Sequence, residues 1–445
     1  MICLLWCCET TVPQQVRIDS SYFPRIGLST TTNRAAATDG GQVAAEHGIN
    51  EKFLQLIDRP RRASTTGLDA ARRPTQHYGC KMPQRDPVLM GPGPSNPYPE
   101  VMEAFTRPVL GHLDPDFIGL MDEVGDRLKQ VFRTANALTF AVSGTGSAGM
   151  EAAFVNFVSP GDVVVIGVNG VFGGRMCDVA ARSGADVVRV NAPWGQPVDH
   201  DQLLAAHPSP KIIAVVHAET STGVRTDLAE LGANKGNALL LADCVTSLGG
   251  IDLRVDEWGV DIAYSGTQKC LGVPPGLAPL TVSDRALEHL LPTPQSWYLD
   301  LNMIANYVTG SGARAYHHTA PISMIYALHA GLGVVLDEGL DVCQARHQAV
   351  GDALQAGLES RGLELFALEG HRLPQLTSVR IPPERLGSAG SEADVRSRLL
   401  YEFGIEIGGG LGELAGQGWR IGLMGHTARM RNVTLLLAAL DEIIG

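Results

Sequence analysis

The chain has 445 residues, 44% of them apolar and 18% charged; this is a globular composition, and the length exceeds what one hydrophobic core organises, so two domains are expected. A formal net charge of −12 excludes a general nucleic-acid binder, which needs a basic surface to displace counterions, and leaves room only for a local basic pocket. The eight cysteines show no paired CxxC spacing, and the adjacent His317 and His318 do not point together from one helix face, so neither a disulfide framework nor a metal site is expected.

Residues 1–8 (MICLLWCC) are apolar but too short to span a bilayer, and they lack the basic flank of a secretory signal. Residues 9–82 mix hydroxyl, basic and acidic residues without sustained periodicity and read as a disordered extension over 1–82. Acids such as Glu9, Asp19 and Asp39 argue against an organelle transit peptide. No later apolar run suits a transmembrane helix. A cytoplasmic protein without membrane attachment is the expectation, with organellar targeting by the extension left open.

From residue 83 the chain punctuates itself regularly. Strands are expected at Leu138–Val142, Val163–Val168, Val187–Asn191, Ile212–His217, Ala238–Ala242, Ile262–Ser265 and Ala278–Val282. Helices follow several of them, at Ala148–Phe157 and Gly174–Ser183 among others. Apolar strands alternating with helices predict an α/β fold with a mainly parallel sheet, whose ligands sit beyond the carboxyl ends of the strands. After about residue 320 two long helical patterns, near 321–337 and 341–361, precede short strands at Ser378–Ile381, Glu406–Gly408 and Trp419–Gly422, then a helix over 427–444. The expected division is a large domain over 83–320 and a smaller α/β domain over 321–445. Segment Gly408–Gly418 reads as a loop and a candidate cleft wall.

Gly144-Thr-Gly-Ser-Ala-Gly149 is literally GxGxxG between a strand and a helix, the fingerprint of a dinucleotide site. An NAD-dependent dehydrogenase would also need an acid at the far end of the next strand. Here Asp162 opens that strand, and its end reads Gly167-Val-Asn169. A glycine turn at a helix start still seats an anion on free backbone N–H groups, and Thr145 and Ser147 add hydroxyls, so a single phosphate is the reading; a ligand-free tight turn is the alternative. Lys269 lies between a strand end and the Gly/Pro-rich run Cys270–Gly276, where desolvation would make its amine nucleophilic towards an aldehyde. Asp243 follows an apolar strand, where it could keep a pyridine nitrogen protonated or simply cap the next turn.

Together these segments resemble the class V, fold-type I aminotransferases, which use pyridoxal 5′-phosphate (PLP), and within them the alanine–glyoxylate and serine–glyoxylate (serine–pyruvate) group. The resemblance runs from Leu89 to the C-terminus. It rests on Gly91-Pro-Gly-Pro-Ser-Asn96, Ser143–Ser147, His217-Ala-Glu-Thr-Ser-Thr-Gly223, Ala242–Gly250, Tyr264-Ser-Gly-Thr-Gln-Lys269, Tyr316-His-His-Thr319 and Trp419–Gly425. It implies that Lys269 forms the Schiff base and then moves the proton at Cα, and that Asp243 pairs with the pyridine nitrogen. Thr145, Gly146, Ser147 and Gln268 would hold the phosphate, although the family commonly has histidine at the position of Ser147. Phe172 falls where a stacking tryptophan is frequent, and Thr220 where a hydroxyl meets the cofactor's 3′ oxygen. Tyr316 and Thr319 match residues that reach the neighbouring subunit's phosphate, which implies a homodimer with shared active sites.

Arg420, on a short strand, would grip a substrate α-carboxylate, with an internal salt bridge as the alternative. The implied reaction moves the amino group of alanine or serine to glyoxylate or pyruvate, so the partners are small amino and 2-oxo acids. Gly111–Phe117 and Thr267–Pro279 also resemble ureidoglycine–glyoxylate members, but those carry an amide where this chain has Tyr316. A cysteine desulfurase is less favoured, because Gly408–Gly418 holds no cysteine.

Overall fold

The structure, a computed structural model, describes residues 85–309, 314–386 and 390–445; the extension read over residues 1–82 lies outside them. The main sheet has seven strands: β1 Leu138–Ser143, β2 Val163–Val168, β3 Asp186–Asn191, β4 Ile212–Val216, β5 Leu239–Asp243, β6 Ile262–Tyr264 and β7 Leu277–Val282. Their order is β1-β7-β6-β5-β4-β2-β3. β2 pairs in parallel with β3 and β4, β4 with β5, and β5 with β6. Only β7 runs antiparallel, to both of its neighbours. The expected α/β fold is therefore present, and β1, β2, β4, β5 and β6 all end on one edge.

Burial explains why these runs are strands. β4 (IIAVV) and β5 (LLLAD) are buried at every position, as in a sheet covered on both faces. Val165, Ile213, Val215 and Leu240 face one core with Phe117 and Leu128 of helix α1, Pro115–Phe132. Val164, Ile166, Leu239 and Leu241 face another, with Phe154 of α2 (Gly146–Val155) and Met176 of α3 (Val171–Arg182). Full burial of each such side chain contributes roughly 1.5–3 kcal/mol.

Helices α4 (Ile322–Glu338), α5 (Leu340–Glu359) and α6 (Met430–Ile444) follow the expected pattern after residue 320. A second, antiparallel sheet is built from β8 Glu364–Leu365, β9 Leu376–Arg380, β10 Gly408–Gly409 and β11 Gly418–Gly422, in the order β8-β9-β11-β10. Trp419 and Ile421 of β11 pack with Val379, Leu354 and Leu436 in its core.

Two local expectations change. Segment Gly408–Gly418 is a hairpin rather than a plain loop, because Gly408 and Gly409 pair through their backbones with Arg420 and Trp419. Helix α3 starts at Val171, three residues earlier than Gly174, so Phe172 sits in its first turn.

Candidate active site

At the shared strand edge a cavity of about 120 Å³ brings together Thr145, Gly146, Ser147, Phe172, Thr220, Asp243, Gln268 and Lys269, with Met150, Arg175, Val216, Ala218 and Val245. Eight residues singled out from sequence thus share one cavity. A larger cavity of about 410 Å³ lies against β1, α1 and the 298–309 segment, but its Lys129 is already paired with Asp126 at 3.0 Å. The reactive groups converge in the smaller one.

Lys269 is 7% exposed and its Nζ donates to the carbonyl of Pro92. Its backbone is pinned by Ser95, whose Oγ donates to Lys269 O at 2.9 Å and whose N–H donates to Gln268 O at 3.0 Å. Burial pushes the Lys269 amine down to about 8, and the Arg420 guanidinium acts in the same direction. The shift leaves a larger fraction of the amine free near neutral pH, and the free amine is the form that attacks an aldehyde.

Asp243 closes β5. Its Oδ1 accepts from the Val245 N–H at 2.9 Å and its Oδ2 from the Tyr264 hydroxyl at 2.8 Å. Burial raises the carboxyl to about 6, against the pull of those two donors. Thr220 Oγ1 lies 2.5 Å from Thr246 Oγ1.

The turn expected to seat a phosphate opens helix α2. Thr145 is the N-cap of α2 but makes no side-chain cap bond, and among the described residues the Gly146 and Ser147 amides donate to no backbone carbonyl. Gln268 Oε1 is buried without a hydrogen-bond partner among the described residues. Arg175, which sequence reasoning missed, donates from Nη1 to Ser147 Oγ at 3.3 Å, and its Cζ lies 4.8 Å from the Phe172 ring centroid. The signal was present: Phe172 and Arg175 are three apart, hence on one face of a helix, but only if that helix starts before Phe172.

Three candidates stand apart from the cavity lining. Arg420, on β11, is 8% exposed, donates from Nε to Gly409 O at 2.9 Å, and makes no ion pair among the described residues. Burial lowers its guanidinium to about 10, opposed by Glu219. Tyr316 and Thr319 are exposed, with their hydroxyls 3.3 Å apart. The acid that a dinucleotide site would recruit is engaged elsewhere: Asp162 accepts from Lys211 Nζ at 2.6 Å and from the Ser159 N–H at 2.7 Å.

Residues 97–410 match the family model described as aminotransferase class-V. The chain belongs to the class V aminotransferases. Its relatives include the alanine–glyoxylate aminotransferase of Drosophila melanogaster, 39% identical, with 80% of this chain and 92% of the relative covered. The (S)-ureidoglycine–glyoxylate transaminase of Bacillus subtilis is 37% identical, with 80% and 90% covered. The crystal structure of the Nostoc sp. alanine–glyoxylate aminotransferase superposes with a TM-score of 0.78 at 46% identity, covering 85% of this chain and all of that one.

The aminotransferase uses PLP as its cofactor, and the cavity fits that molecule. It offers unengaged amides at the start of α2 for a phosphate, beside the Ser147 hydroxyl held by Arg175, an aromatic wall at Phe172, a buried carboxylate at Asp243 and a desolvated amine at Lys269. Among the described residues no helix is long and apolar enough to cross a membrane.

Proposed function

We propose that this aminotransferase moves the amino group of alanine or serine to glyoxylate or pyruvate. The observation that carries the reading is the cation inventory. Only Lys269 and Arg175 among the cavity's lining residues are basic, and Arg175 bonds at the phosphate end. Arg420 then remains for one α-carboxylate, and a second carboxylate, as in a dicarboxylic substrate, finds no cation in the lining. A small monocarboxylic amino acid and its oxo acid suit such a site.

When bound, PLP supplies an electron sink for negative charge at the substrate's Cα. Lys269 Nζ is the group that holds the cofactor covalently and then carries a proton to and from that carbon. Asp243 provides a fixed negative charge for a protonated ring nitrogen, with its oxygens aimed by Tyr264 and Val245. Phe172 provides a flat apolar wall that excludes water on one side. The Arg420 fork orients the carboxylate, because its Nε is already committed to Gly409.

We read residues 83–320 and 321–445 as two domains carrying this chemistry, and the active form as a homodimer in which exposed Tyr316 and Thr319 reach the neighbouring subunit's phosphate. Exposed Trp297 and Tyr298 beside them support a covered face there. Ureidoglycine as donor is the second reading, favoured by the likeness to the Bacillus subtilis enzyme. Turnover of alanine, serine and ureidoglycine against glyoxylate and pyruvate tests the choice. Alanine or serine should give the highest kcat/KM with glyoxylate. Dominance of ureidoglycine would replace the first reading with the second, and no turnover with either acceptor would overturn both.

A further inference from the structure

Glu219 is fully buried and precedes Thr220 in the chain; its charge supports the Arg420 guanidinium, but its hydrogen bonds have no part in the chemistry above. Its carboxylate is nonetheless saturated with donors. Oε1 accepts from the Ser221 N–H at 3.0 Å and the Ser221 hydroxyl at 2.5 Å. Oε2 accepts from the N–H groups of Phe172 at 3.1 Å and Gly173 at 3.2 Å. Four donors and no acceptor around a carboxylate match its ionised form, which only accepts. On balance burial pushes this carboxyl up, against the pull of those four bonds, so the geometry of the four donors is what favours the charge.

Helix α3 has no cap of its own. Its N-cap is Gly170, and its first turn carries no acid. Glu219 and Ser221 supply the missing acceptors: Ser221 Oγ takes the Val171 N–H at 2.9 Å, and Glu219 takes the next two amides. The approach is so close that a Cβ at Gly170 would stand 2.3 Å from Ser221 Oγ and 2.5 Å from Glu219 Cδ. The first turn held this way carries Phe172, and one turn on Arg175, into the cavity. The acid is bonded to the amide of the residue whose ring forms the cavity wall.

We propose that Glu219 is a positioning residue for the cofactor: it anchors the first turn of α3 so that the Phe172 ring faces the PLP pocket. The inference rests on the reading that this cavity holds PLP. A cap that served only the helix would lower stability and leave cofactor affinity unchanged. A cap that aims Phe172 makes affinity depend on it, and only while the ring is present.

The test is a double-mutant cycle on equilibrium PLP binding, followed by absorbance and by near-ultraviolet circular dichroism of the bound cofactor, in the full-length protein. E219Q keeps the shape but loses the charge and sets an amide against the α3 N–H groups. It should weaken PLP binding by about tenfold, the scale of losing charge-assisted hydrogen bonds. F172A should do the same, and adding E219Q to F172A should cost less than about twofold more, because coupled residues are not additive. Wild-type affinity and dichroism in E219Q, or losses that multiply in the double variant, overturn the proposal. If E219Q does not fold, E219D takes its place in the cycle: it keeps the charge but is one methylene short of the α3 amides. Weaker binding by E219D that disappears in the F172A background supports positioning, and wild-type affinity overturns it. Failure of the wild-type protein to bind PLP would instead remove the site reading, which separates the two.

Discussion

Tyr264 donates its hydroxyl to Oδ2 of Asp243 at 2.8 Å, both groups fully buried at the ends of adjacent parallel strands. Asp243 pairs in register with Tyr264, so the sheet itself sets the distance. The bond lowers a carboxyl that burial raises to about 6. Removing it in Y264F should push Asp243 further up and move the acidic limb of the kcat/KM profile to higher pH. D243N should bind PLP yet lose turnover on the order of 10²-fold, the scale of removing a fixed charge at a reacting centre. An unshifted limb in Y264F would show that the hydroxyl does not tune Asp243.

The amine of Lys269 gives a second pH-dependent observable. Burial depresses it to about 8, Arg420 pushes it down and Asp243 pushes it up. Below that pH the group is mostly ammonium and cannot attack an aldehyde, so the rate of PLP capture by the apoprotein should rise with pH through a midpoint near 8. Arg420→Gln removes a depressing charge and should raise the midpoint; Asp243→Asn removes a supporting charge and should lower it. Stopped-flow absorbance across pH 6–10 checks both directions, and K269A should give no chromophore at any pH. A wild-type midpoint close to the ordinary lysine value of 10.5 would contradict the burial of this amine.

The strands were legible in sequence because burial on both faces leaves an uninterrupted apolar run, as in Ile212–Val216 and Leu239–Asp243. The positions of Lys269, Asp243 and the Thr145–Ser147 turn followed, since each closes or follows such a run. The start of α3 did not, because its acceptor Glu219 lies 47 residues from Phe172 in sequence and no local residue reports it. Arg175 was lost with that boundary. The Gly408–Gly418 hairpin was hidden for another reason: glycine pairs through its backbone and leaves no side-chain alternation to read.

Gly93 touches the reacting amine more closely than its sequence context reveals. Its φ is +102°, and a Cβ there would stand 2.6 Å from Lys269 Nζ and 2.7 Å from its Cδ. The lysine side chain is flexible and would yield, so Gly93→Ala should leave the fold intact at a cost of roughly 1 kcal/mol or more from the positive φ. PLP capture should slow by about tenfold, since roughly 1 Å of misplacement at a reacting group is felt strongly. At Gly91 a Cβ would meet nothing closer than 3.7 Å, and Gly91→Ala should capture PLP at nearly the wild-type rate. Equal rates for the two variants would rule out a steric role for Gly93.

His347 links helix α5 to the turn after β11, and its protonation state is dictated by its partners. Nδ1 lies 2.7 Å from Cys343 O and therefore carries the hydrogen, while Nε2 accepts from the Gly425 N–H at 3.0 Å. A proton on Nε2 would face another donor. Burial, then the nearby Arg346, holds the imidazole down to about 4, and buried His217 is held down to about 4 by burial and Arg225. Above the unfolded value of 6.5 both states are neutral and the stabilisation is complete. As pH falls from 6.5 towards 4 the unfolded chain takes up protons that the fold refuses, so stability is lost across that window. Each histidine contributes up to about 3 kcal/mol to that loss, since each pH unit between its unfolded and folded values is worth about 1.4 kcal/mol. Carboxyls raised by burial, such as Asp243, work in the opposite sense, so the slope must be compared between variants. His347→Gln should be less stable than wild type at pH 7, yet its urea midpoint should fall less steeply between pH 6.5 and 4. Parallel slopes for the two proteins would mean that His347 takes up its proton in the folded state as readily as in the unfolded one.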